Sequence, residues 1–237
     1  MTIGIAPLVD YAFKMMLGNQ HHPNITIHFL NAVLAEEYTI TSVEFISPSP
    51  LKRNPDDRLN VLHLVATDAH GQRLNITFQI TLPAGMPQML GYFAARGLVN
   101  QLSEPESVIP LELRPSVCIC VLASHLFPEP QALKLHFELR HDSQSAPLSD
   151  LLQIYVLQLS HLQVTEETLS TATPLERWAW FLQHASELSP EQVARLLPDQ
   201  PFTQAAEILE MITHNPQQLA EYNARLKAKH NETAHML

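Results

Sequence analysis

The stretch 59–82 of this 237-residue chain holds the residues best spaced for chemistry. Within 73–81 the pattern alternates: Leu74, Ile76, Phe78 and Ile80 point one way along an extended strand, and Arg73, Asn75, Thr77, Gln79 and Thr81 point the other. Residues 59–67 are apolar on both faces apart from Asn60 and His63, the composition of a central strand. Between the two runs, Asp68, Ala69, His70, Gly71 and Gln72 carry a turn signal, with Gly71 where a three-residue hairpin loop needs a positive φ. Pairing Asp68 with Gln72 sets a register that puts His63 opposite Thr77, Val65 opposite Asn75 and Val61 opposite Gln79. His63, Thr77 and Gln79 then converge on one face, at the strand ends far from the turn. They offer an imidazole nitrogen, a neutral hydroxyl and a neutral amide. A hard dication such as Mg²⁺ takes oxygen ligands at about 2.0–2.1 Å, usually including one or two carboxylates, so this trio is poorly suited to hold one.

Asp56 and Asp57 precede His63 by about 20 Å of extended chain and read as a turn entering the strand. Imidazole also suits Zn²⁺, but no second His or Cys falls at ligand spacing near His63, and a structural histidine is the plainer reading. Cys118 and Cys120 sit two apart in an apolar run; on a strand they point the same way and read as buried, reduced thiols. The 13 histidines are scattered, with no His-x-x-x-His pair. Asp10 and Lys14 are spaced as an i,i+4 helix pair. No Gly-rich phosphate loop, nucleophile elbow or zinc motif is present, and nothing points to a Ser/His/Asp triad.

The elements that must position these residues follow from periodicity. Residues 8–17, opened by Pro7 and stopped at Gly18, form a short amphipathic helix, and 24–35 a second, with Ile27, Leu30, Asn31 and Leu34 on one side. Residues 39–46 are β-branched and aromatic and read as a strand, followed by a Pro- and Ser-rich loop over 47–57. After the hairpin comes a helix over 86–102; close packing against a sheet rationalises its Gly91 and Gly97, each of which weakens a helix by about 1 kcal/mol relative to alanine. A buried strand over 116–123 and further strands over 131–140 and 151–159 complete a sheet. Beyond about Thr165 the chain is helical, with Pro174, Pro190, Pro201 and Pro216 each near a helix start and Trp178, Phe181, Leu182, Ile208, Leu209 and Ile212 facing a core.

Composition bounds the rest. With 46% hydrophobic and 16% charged residues the chain can bury one sizeable core, or one core and a small appendage. Neither a run of about 18 apolar residues nor a basic flank before an apolar run occurs, so a membrane span and a signal peptide are not expected, and the expected location is cytoplasmic. Net charge is −10, with 7 basic and 10 acidic residues up to His125 and 7 and 14 after it. A protein built chiefly to grip phosphates carries a basic patch instead. Lys52, Arg53, Arg58 and Arg73, the basic residues flanking the hairpin, are the candidate DNA contacts; solvated loop charges are their ordinary reading.

The residues Leu8, Val9, Asp10, Tyr11, Phe13 and Lys14, then Phe29, Leu30 and Asn31, resemble the opening segments of the PD-(D/E)XK nuclease family transposases. The run Asp56, Asp57, Arg58, Leu59, Asn60, Val61, Leu62, with Ala66, Thr67, Asp68, Gly71, Asn75 and Ile76, is similar to that family's central hairpin, its most diagnostic part. The resemblance extends through Tyr92, Gln101, Phe127, the segment 178–182 and the tail 222–227. It implies an α/β fold: a restriction-endonuclease-like αβββαβ core with a mixed central sheet, extra strands and a C-terminal helical subdomain, with the core over 1–164 and the subdomain over 165–237. It also implies a bacterial, metal-dependent DNA endonuclease with an Asp on the first hairpin strand and a Glu-x-Gln on the second. Here the Asp position is His63 and the Glu position Thr77; Gln79 alone matches. No cofactor and no catalytic residue is therefore expected, and the chain is read as an inactive relative acting by DNA or protein binding. The alternatives are an Mg²⁺-dependent nuclease with Asp57 and Asp10 as substitute ligands, and a protein-interaction or homo-oligomeric module that modulates an active relative.

Overall fold

The computed structural model describes residues 2–35, 37–46, 62–80, 87–102, 113–141 and 147–234. Along the chain these form α1 (Asp10–Leu17), α2 (Pro23–Leu34), β1 (Ile40–Phe45), β2 (Leu62–Asp68), β3 (Arg73–Gln79), α3 (Gln88–Leu102), β4 (Ser116–Leu122), β5 (Lys134–Glu138), β6 (Leu152–Gln158), α4 (Pro174–His184), α5 (Pro190–Leu196), α6 (Gln200–His214) and α7 (Pro216–Ala234). They divide into two compact units, one drawn from residues 1–36 and 162–237, the other from 37–48 and 53–161. The first two helices thus group with the C-terminal helices, and the sheet stands with α3.

The six strands run in the order β1-β2-β3-β4-β6-β5. β1, β2 and β3 form an antiparallel meander, β3–β4 and β4–β6 are parallel, and β5 returns antiparallel at the edge. β4 is the sheet's innermost strand by burial: all seven of its residues are buried, which accounts for its unbroken apolar run. The Asp68 N–H donates to the Gln72 carbonyl at 3.0 Å, and the Asp68 carboxylate accepts from the N–H groups of His70 and Gln72 at 2.8 Å each. Gly71, at φ +80°, closes that turn in the left-handed region open to glycine.

α3 lies on the face of the sheet that carries Cys118, Cys120 and Val156, burying Leu90, Phe93 and Ala94 against them. Gly97 makes the approach close: a methyl on it would overlap the Ser116 hydroxyl, which itself donates to the Ala94 carbonyl at 2.7 Å. Gly91 has open space around it, so packing explains one glycine of this helix and not the other.

The helical unit is organised on Trp178, fully buried and in edge contact with Phe29 and Phe181. Its indole N–H donates to His28 Nδ1 at 2.9 Å. α4 and α5 each begin with a capping box, Thr173 with Glu176 and Ser189 with Gln192, and with a proline in the first turn. Such N-terminal devices contribute about 1 kcal/mol apiece.

Candidate functional site

The register of the hairpin decides which side chains can meet. β2 and β3 pair with His63 opposite Thr77 and Val65 opposite Asn75, as the turn predicts from sequence. Val61, placed opposite Gln79 from sequence, lies outside the described residues, as do Lys52, Arg53, Asp56, Asp57, Arg58 and Thr81.

His63 Nδ1 and the Thr77 hydroxyl are 3.1 Å apart in a cross-strand hydrogen bond. Gln79 lies one step further along the same face of β3, and the parallel register with β4 sets Cys118 beside Thr77 and Cys120 beside Gln79. This is the face that α3 covers. The polar side of the β3 alternation is consequently not a solvent face: Thr77 is 3% exposed and Gln79 1%. Among the described residues the buried Gln79 carboxamide Nε2 has no hydrogen-bond partner, an arrangement that costs about 1–3 kcal/mol. Burial pushes the Cys118 thiol up to about 12 and holds Cys120 well above its usual value, Cys118 adding to the effect. Burial thus favours the neutral form of both thiols.

The remaining candidates are distributed elsewhere. Arg73 reaches Glu44 on β1 at 3.1 Å, an exposed pair that neutralises the cation. Asp10, buried on α1, accepts an ion pair from Arg225 on α7 at 3.3 Å, and Lys229 donates from α7 to the Leu8 carbonyl at 2.8 Å. That places Asp10 in the helical unit beside a guanidinium.

Residue patterns did not reveal a second polar cluster, on the opposite face of the sheet. There Glu37 accepts from the Tyr155 hydroxyl and lies 3.3 Å from His136 Nδ1, the imidazole stacks on the Tyr155 ring at 4.3 Å, and the Gln153 amide donates to the Tyr38 hydroxyl at 2.7 Å. Burial raises the Tyr38 phenol. These residues come from three separated segments, so no spacing in the sequence announces them.

A strand hairpin joined by a helix crossover to a parallel fourth strand, with the polar trio on its inner strands, is the arrangement the resemblance implies, and comparison with known families agrees. The family model for PD-(D/E)XK nuclease family transposases matches residues 7–236. The chain belongs to that family. No curated protein and no solved structure matches it. Members of the PD-(D/E)XK family imply a divalent metal, and the donor groups described at these three positions do not suit one. His63 and Thr77 bond to each other, Gln79 supplies a neutral amide, and among the described residues no three His, Cys, Asp or Glu side chains are grouped to hold a metal ion. Among the same residues no helix is long and apolar enough to cross a membrane.

Proposed function

We propose that this PD-(D/E)XK nuclease/transposase-like protein is catalytically inactive and acts by binding. One observation carries the reading: the His63–Thr77 hydrogen bond occupies the two positions where, by resemblance, active relatives carry carboxylates. A nuclease of this class needs anionic oxygens to retain the cation that polarises the phosphate and lowers the pKa of the attacking water. A cross-strand imidazole–hydroxyl pair contributes no negative charge, and an amide completes the set. DNA is the first partner to test because the scaffold belongs to a nuclease family. The net charge of −10 and the Glu44–Arg73 pair favour a basic protein partner as the second reading, with this chain modulating an active relative.

The deciding experiment is cleavage of supercoiled DNA with Mg²⁺ and Mn²⁺. The expected result is no metal-dependent nicking by the native chain; robust nicking abolished by Gln79→Ala overturns the proposal. The double variant His63→Asp with Thr77→Glu is expected to gain Mg²⁺ binding measurable by calorimetry. Magnesium binding by the native chain, lost in Asp57→Ala or Asp10→Ala, would instead favour relocated ligands. Gel-shift titration at low and moderate salt separates the partners: retention at low salt supports DNA, and its absence supports a protein partner.

A further inference from the structure

The parallel strands β4 and β6 lie side by side and pair to their last residues, Leu122 with Gln158. A histidine follows the carboxyl end of each. His125 stands on the loop after β4, and His161 closes the short 3-10 turn Leu159–His161 that continues β6. In open α/β sheets, ligands sit outside the carboxyl ends of the strands. Gln158, fully buried, ties the two segments together: its Oε1 accepts from the N–H groups of Leu126 and Phe127 at 2.8 and 2.9 Å, and its Nε2 donates to the Ala132 carbonyl at 3.1 Å. Leu126 is the neighbour of His125, and Gln158 begins the turn into His161, so the fold fixes the backbone under both imidazoles. Their ring centres are 5.5 Å apart. Two imidazoles on one tetrahedral zinc ion, with Zn–N of about 2.0–2.1 Å, have ring centres about 5.2 Å apart. Among the described residues His161 Nε2 is buried without a hydrogen-bond partner, while His125 is exposed and open to a cation from solvent. A neutral imidazole keeps one nitrogen lone pair, and a transition metal satisfies it.

We propose that His125 and His161 form a binding site for a divalent transition cation of the zinc class, separate from the hairpin trio and independent of whether that trio is active. No third His, Cys, Asp or Glu is grouped with the pair among the described residues, so water or an external anion completes the coordination. Imidazole suits Zn²⁺, Ni²⁺ and Cu²⁺, whereas Mg²⁺ takes oxygen ligands, and the pair accordingly distinguishes Zn²⁺ from Mg²⁺. Bound metal clasps the loop after β4 to the turn after β6.

Calorimetric titration of the full chain with ZnCl₂ and, separately, with MgCl₂ tests the assignment. Zinc should bind, and magnesium at the same concentration should not displace it. His125→Ala and His161→Ala should each weaken the tightest zinc binding about tenfold or more, the least that loss of a metal's supporting partner costs. His21→Ala, which removes an exposed histidine of the helical unit, should leave it unchanged. Co²⁺ gives a second readout: visible absorption should appear when it binds the native chain and be absent with His125→Ala. Zinc should also raise the thermal midpoint of the native chain and not that of His125→Ala. Because His125 is exposed, that variant keeps the test decisive even where His161→Ala fails to fold, and far-UV circular dichroism checks both. No zinc heat at millimolar concentration, zinc binding as tight in His125→Ala as in the native chain, or displacement of zinc by equimolar Mg²⁺ overturns the proposal. DNA cleavage by the hairpin trio is read separately, in the assay with Mg²⁺ and Mn²⁺.

Discussion

At the scale of single residues, buried Gln79 and half-buried His28 hold opposite kinds of polar chemistry. Gln79 keeps an amide donor from water with no acceptor for it among the described residues. Replacing it by leucine, similar in size and without polar atoms, should raise stability by about 1 kcal/mol, read as a higher urea midpoint at unchanged slope; a lower midpoint would show the amide to be satisfied. His28 is the contrary case, because its Nδ1 accepts from the Trp178 indole and so must be unprotonated. Burial holds the imidazole below the usual 6.5, with Asp199 opposing and Arg177 adding. A histidine depressed on folding leaves stability intact above its unfolded value and removes it as pH falls through the folded value. Unfolding followed by tryptophan fluorescence should therefore show stability declining below about pH 6.5, the unperturbed histidine value. His28→Gln, which keeps an acceptor and loses the titration, should flatten that decline; an equally steep profile in the variant would assign the effect to another group.

Among the elements, α3 shows how a local penalty is offset by tertiary contact. Two glycines weaken the helix interior, yet Gly97 alone admits the Ser116 hydroxyl and the strand beneath it. Gly97→Ala should destabilise by about 1–3 kcal/mol through overpacking, and a Ser116→Ala background should recover most of the loss. Gly91→Ala, facing open space, should stabilise by about 1 kcal/mol through helix propensity alone. Thermal midpoints of the four variants check this, and a neutral Gly97→Ala would mean that α3 slides without cost. The hairpin is the most legible element because its information is local: the turn residues, the positive φ of Gly71 and the alternation of 73–81 all agree on one register. The capping boxes at Thr173 and Ser189 were equally readable as Ser/Thr followed three residues later by Glu or Gln, a signal hidden behind the more conspicuous prolines.

For the molecule as a whole, charge and family pull apart. The family is built around phosphodiester chemistry, while this chain carries −10 and ties Arg73 to Glu44. Asp10, a ligand candidate by sequence, is held by Arg225 from a helix more than 200 residues downstream. A carboxylate beside a guanidinium has its charge already answered, which no reading of the first helix alone could disclose. What the amino-acid order determined by itself was whatever depends on neighbours in the chain: the strand and helix periods, the hairpin register, the absence of carboxylates at 63 and 77, and the family. Only tertiary structure decided that the polar side of β3 lies under α3, that Cys118 and Cys120 flank Thr77 and Gln79, and that Glu37, His136 and Tyr155 meet. Alternation reports which residues share a face. What covers that face depends on packing between segments remote in sequence, and local pattern carries no term for it.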